Sequence, residues 1–478
     1  MAEKDLLQNK HLLWRAGFGP AVEQLDDLEK YSAQQYYKKL AALSAKKTNY
    51  LQGTDKALED LYTENIGKKA ADRTAEERRE IQRLQTEATR KLSSLWMSEM
   101  VNSEQQLKEK MALFWHGHFA CRSNNAFYQQ QLLHIIRDNA LGNFGDLLKA
   151  VSHSPAMLIF LNNQQNRKGR PNENFAREVM ELFTMGRGNY TEKDIKEAAR
   201  AFTGWTGTPQ GEFVFRKNQH DTGEKTVLGK TGNFTGDDVL DILLEKKQTA
   251  IYITQKLYRF LVNETIDPQQ VQSLAEKFYK NNYDISALLK DIFTSTAFYD
   301  KKNMGALIKS PVILLAGIQR MIPMQLEDDN ALLTIQRVLG QLLFYPPNVA
   351  GWPGGKTWID SSTLMMRLRV PQLFTDEDEL NVTPKDDDDQ MMGMKQAKPK
   401  KNLGAKAISA SMNWEQHYKQ LSKVKREELL HTISKYQLQT PGALAPETIN
   451  KYVDGASREA YIRSATIQVM STPEYQLC

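Results

Sequence analysis

From Thr74 the chain reads TAEERREIQRLQTEATRKLSSLWMSEM, and this stretch decides the fold class. Thr74 with Glu77 makes a capping box, in which each side chain satisfies a backbone amide left open at a helix start. Ile81, Leu84, Ala88, Leu92 and Leu95/Trp96 then return at the spacing that lays an apolar stripe along one face of a helix. The same grammar recurs downstream. Ser103 and Gln106 read as the start of a further helix, with Leu107, Met111 and Phe114 on one face and Gly117 as its left-handed C′ residue. In PNENFAREVMELFTMGRGNYTEKDIKEAARAFTGW, Asn172 caps a helix whose apolar face is Phe175, Ala176, Val179, Leu182 and Phe183. Gly186 and Gly188 end it. Thr191 caps the next, with Asp194 at N3 and Tyr190 and Ile195 in the positions of a hydrophobic staple. A chain written this way is mainly α, one large multi-helix domain.

Strands are scarce. EFVFRKNQHDTGEKTVLG, residues 212–229, reads as a small β-hairpin excursion from the helical body, with His220, Asp221 and Gly223 at its turn. YPPNVAGWPGGKTWIDSS, residues 345–362, is a loop, because its prolines and glycines forbid regular structure. Asp360 or Ser361 then caps a helix through Val370. The main domain is placed at 1–380. Residues 381–410, with four consecutive aspartates followed by a lysine-rich run, read as a charged flexible linker. Residues 411–478 read as a C-terminal helical segment packing on the main domain. A faint repeat links LLKAVSHSPAM at Leu147, LLKDIFTSTAF at Leu288 and IQVMSTPEY at Ile467.

Charge and composition exclude several classes. The 63 basic against 58 acidic residues form no long basic stripe, so nucleic-acid binding is not suggested. The two cysteines, Cys121 and Cys478, supply no disulfide framework. The N-terminal MAEKDLLQNKHLLWRAGFG has no apolar signal-peptide core, and no apolar run approaches a membrane span. The expectation is a soluble cytoplasmic protein. No phosphate-binding glycine loop, nucleophile elbow, H-E-x-x-H or C-x-x-C motif is present.

Five stretches, HLLWRAGFGP, LKEKMALFWHGHF, NENFAREVMELFTMGRGNYTEKDIKEAARAFTGW, HDTGEKTVLG and GWPGGKTWIDSSTLMMRLRV, resemble the bacterial domain of unknown function 1800 family in motif and in order. They run from about His11 to Val370, and the tail STPEYQL is similar to the family's ending. The resemblance implies no established activity. It implies that many relatives are exported, often by a twin-arginine signal, a pattern from which this sequence departs. It also implies gene neighbours from a family similar to sulfatases and phosphatases, which makes a protein of that kind a candidate partner.

Of eight histidines, two stand in FWHGHF, at His116 and His118. Imidazoles ligate zinc, iron or copper and exchange protons near neutral pH. Two residues apart on a continuous helix they diverge; a break at Gly117 would let them converge on one divalent metal ion. Equally, they are core histidines bonded to carbonyls. On the 172–185 helix, Glu173, Arg177 and Glu181 share a stripe with Glu178 at its border, which is either a solvated face or a buried polar site; we expect the buried case for Arg177. His220 sits where a hairpin tip can deliver a side chain, and Asp221 reads as turn chemistry. Trp352, Lys356 and Trp358 lie on a glycine-rich loop, where indoles stack on a ligand or plug the loop onto the body.

Two functions follow. One is an enzyme, metal-dependent or not, with a catalytic set of His116, His118, Glu178, Arg177 and His220. The other is a non-catalytic binding or assembly protein that contacts a polymer or partner through the Trp352, Lys356 and Trp358 loop. Whether His116, His118, Glu178 and His220 converge separates them.

Overall fold

The computed structural model describes residues 2–65, 72–328, 330–375, 410–440, 442 and 444–478. The charged linker expected at 381–410 lies outside the described residues except for Ala410. The architecture is mainly α, with small two-stranded sheets. Three of the capping signals act where they were read; Asn172 does not, since Glu173 is the N-cap of helix Asn174–Glu178. Thr74 with Glu77, Thr191 with Asp194 and Asp360 with Thr363 each form reciprocal boxes, opening helices Ala75–Asn102, Glu192–Ala201 and Ser361–Leu373. These helices start where a side-chain oxygen satisfies amides that no preceding turn can reach.

Two further expectations are corrected. Ser103 does not open a helix; it ends Ala75–Asn102, and the next helix, Gln106–His118, starts after Gln105. The Gln106 side chain is spent elsewhere, donating to the Met100 and Ser103 carbonyls at 3.0 and 2.8 Å and accepting from the distant Phe18 amide at 3.3 Å. The stretch 212–229 is not one hairpin. Phe213–Phe215 pairs antiparallel with Trp205–Gly207, and Lys225–Val227 pairs with Lys230–Gly232. His220 to Gly223 connects the two sheets. The reason is tertiary: Phe213 packs edge-on to Trp205, while Thr226 and Leu228 donate their amides to Glu197 and Asp194 of the neighbouring helix.

One apolar core runs from Leu6 to Cys478. Helices Phe144–His153 and Ile285–Phe293, two of the faint repeats, begin side by side: Phe144 N–H donates to the Tyr283 carbonyl at 3.0 Å and Ile285 N–H to Gly142 at 2.9 Å. The C-terminal segment enters the same core. Ala410–Met412 pairs with Met324–Leu326, and Leu307 and Cys478 exchange both backbone bonds at 2.8 and 3.2 Å. Buried cations staple these parts. Arg15, 1% exposed, donates to the carbonyls of Leu261, Val262, Asn303 and Cys478. Lys309 lies 3.6 Å from the ring centres of both Trp14 and Tyr475. A buried ammonium with carbonyl and π-face partners keeps part of the solvation it loses. No helix among the described residues is long and apolar enough to cross a membrane.

Candidate functional site

Helix Gln106–His118 runs unbroken through Gly117, contrary to the expected break there. Residues two apart on a helix point about 200° from each other, so His116 and His118 leave on opposite sides. The helix persists because the core holds nearly every residue of it.

His116 faces the loop that follows Phe344. The Phe344 amide donates to His116 Nε2 at 3.3 Å, which places the ring proton on Nδ1. Phe344 has φ +67°, a left-handed conformation that a side chain adopts at a cost of about 1–2 kcal/mol. Trp352 covers the imidazole at 5.4 Å and Trp96 meets it edge-on at 5.0 Å. One residue along, the Gly117 carbonyl touches the backbone of Gly351, where a methyl group would overlap it. Burial lowers His116 to about 3.

His118 faces the helix of the NENFARE motif. Asn174–Glu178 is α-helical, and Val179–Thr184 continues it as a π-helix, a feature absent from the sequence reading. Near its end, Phe183 offers its carbonyl to His118 Nε2 at 3.1 Å. A carbonyl only accepts, so the proton is on Nε2 and the lone pair on Nδ1. Lys256 Nζ donates to that lone pair at 3.2 Å and to the Leu182 carbonyl at 3.4 Å. Burial, and then the Lys256 charge, hold His118 well below its usual value. Lys256 falls to about 8, chiefly by burial and then by Arg259.

The other predicted residues are placed elsewhere. Arg177 is corrected to a surface ion pair: it grips Glu192 at 2.7 and 2.8 Å and Glu173 at 3.3 Å, with about a third (34%) of its side chain exposed. Glu181 turns away from it, to Tyr190 Oη at 2.6 Å and Arg187. Glu178 is half-buried, and burial followed by Glu181 raises its carboxyl. His220 Nδ1–H donates to the Thr203 carbonyl at 3.0 Å. Asp221 takes the Gly223 amide at 2.9 Å and the Arg200 guanidinium at 2.9 Å, as turn chemistry requires. The bonded and ring partners of His116, His118 and His220 have no residue in common, so the expected convergence and the shared metal ligation by His116 and His118 are corrected. Among the described residues no group of three or more His, Cys, Asp or Glu side chains is set to hold a metal ion. On the loop, Trp358 is buried, Trp352 half-buried and Lys356 exposed.

Two groupings escaped the sequence reading. Glu109 and Arg137, both fully buried, pair at 2.7 Å, and Trp96 Nε1–H donates to Glu109 at 2.9 Å. The available signal was Lys108–Glu109–Lys110, three charges inside an otherwise apolar helix. The second grouping surrounds Tyr345. The Arg122 guanidinium lies 5.4 Å over its ring, and Arg90 and Arg337 also act on its phenol. Three separated elements contribute, so no local motif announces it.

These features define a mainly helical protein in which one histidine pair ties down a loop, through His116, and a π-helix, through His118. The chain belongs to the family described as "Protein of unknown function (DUF1800)", whose model matches residues 11–477. No curated protein and no solved structure matches it.

Proposed function

We propose that the protein works by binding, with loop 345–358 as its contact element for a polymer or partner. The observation that carries this is the anchoring of that loop. His116 holds the Phe344 amide, Gly117 meets Gly351 and Trp352 lies on His116, while Lys356 is exposed. A loop held rigidly at its base presents side chains with little entropy left to lose on binding. Trp352 supplies a partly open indole and Lys356 a charge; Trp358 is the plug. Retention of the purified protein on a panel of immobilised polysaccharides tests this. Retention that Trp352→Ala and Lys356→Ala both weaken supports it. Retention unchanged by either, or none on any polymer, ends it.

An enzymatic reading narrows to His118 and Lys256, because a lysine lowered to about 8 beside a neutral imidazole is a base near neutral pH. Glu178 is the half-buried residue immediately before the π-helix, where its charged neighbours are Glu181, Arg177 and Arg187. Hydrolase and lyase screens with Lys256→Met as control decide it; activity that survives this substitution rejects the assignment.

A further inference from the structure

Beside the anchored loop, a cleft of about 680 Å³ opens between helices Lys56–Asn65 and Ala75–Asn102 and the segment that follows FWHGHF. Among the described residues its lining contains Arg73 and Arg122 but no carboxylate. Arg122 is half-buried, stacked over Tyr345, and makes no hydrogen bond or ion pair with any described residue. Arg90 and Arg337 lie within electrostatic reach of the same phenol, and Arg337 Nε is buried without a partner among the described residues. A half-buried guanidinium in a cleft with no acid among its described residues is a site for an anion. Two further features narrow the ligand. Asn65, 4% exposed, lines the cleft, and its buried Oδ1 has no partner among the described residues, an acceptor for an O–H or N–H donor. Tyr62 and Phe160 supply aromatic surface, and Ile159, 41% exposed, extends the apolar wall. A pyranose ring has an apolar C–H face for such a wall and hydroxyls for such an acceptor.

We propose that this cleft binds an acidic sugar unit, its carboxylate or sulfate on Arg122, a hydroxyl on Asn65 Oδ1 and its ring face against Tyr62 and Phe160. This rests on the reading that the protein works by binding, but assigns a surface separate from Trp352 and Lys356. The test is calorimetric titration of the full chain with an oligogalacturonate hexamer and with a heparin-derived hexasaccharide, which separate carboxylate from sulfate as the source of charge. The fully methyl-esterified galacturonate hexamer and a thymidine hexanucleotide serve as controls. Binding of one acidic hexamer, weakened tenfold or more by Arg122→Gln and threefold or more by the exposed Asn124→Ala on the cleft rim, with the neutral ester inert, supports the proposal. Asn124→Ala leaves the Tyr345 stack intact, so it reports even if Arg122→Gln does not fold. Equal binding of the neutral ester or of the nucleotide overturns it, as does no binding of either acidic hexamer. Loss on Trp352→Ala with both cleft variants unchanged moves the ligand to the loop, overturning the cleft while the loop reading stands.

Discussion

The amide of Phe344 donates to Nε2 of His116 across 3.3 Å, joining residues 228 positions apart. One imidazole thereby holds a left-handed backbone in place and fixes where the Trp352 loop begins. His118, on the other side of the same helix, does the corresponding work for the π-helix.

Removing that acceptor strands a buried amide and leaves a cavity beneath Trp352. His116→Ala is expected to destabilise the protein by about 2–4 kcal/mol. His116→Gln, which can return an oxygen to the Nε2 position, should restore at least half of that. Urea denaturation of both variants measures it. Equal losses would mean that packing, not the hydrogen bond, is what His116 contributes.

Gly351 has φ +84° and meets the Gly117 carbonyl with no room for a methyl group. Gly351→Ala should cost about 2–4 kcal/mol from strain and overlap together. Gly354→Ala, where a methyl group meets nothing, should stay within about 1 kcal/mol. Thermal melts that rank the two the other way would refute the anchoring contact.

Exposed and buried ion pairs should separate cleanly here. Arg177→Ala breaks a solvated pair with Glu192 and is expected to cost about 0–1 kcal/mol. Arg137→Ala strands Glu109, which is 0% exposed, and should cost about 3–5 kcal/mol. Similar transitions for the two variants would contradict the burial difference.

Acid should weaken the fold before its carboxylates titrate. Burial, helped at His118 by Lys256 and at His11 by Arg15, lowers His116 to about 3, His417 to about 4, and His11 and His118 well below the ordinary 6.5. The unfolded chain binds those protons first, so stability is complete above about pH 6.5 and falls as pH drops toward the folded values. His116 alone accounts for about 2 kcal/mol between pH 6.5 and 5. Denaturation midpoints from pH 8 to 4.5 read this directly, and His116→Gln should flatten the slope. A midpoint constant down to pH 5 would show that these rings protonate in place.

What the sequence determined by itself is what nearest neighbours along the chain decide. The Thr74–Glu77 and Thr191–Asp194 boxes and a cap at Asp360 or Ser361 are legible because a cap spans one helical turn, and apolar periodicity reports which face of each helix is covered. The turn at Asp221 is legible for the same reason. Tertiary structure decided the rest. Gly117 stays helical because the surrounding core holds the helix through it, and Gly351 packs against its carbonyl. Arg177 is solvated because Glu192, on the next helix, reaches it first, and Glu181 prefers Tyr190. The strands of 212–229 part company because their partners, Trp205 and Lys230, lie outside that stretch. Glu109 finds Arg137, and Arg122 finds Tyr345, across separations that no local pattern encodes. Contacts between distant residues depend on how whole helices pack, and packing energy is summed over the core rather than written at either residue.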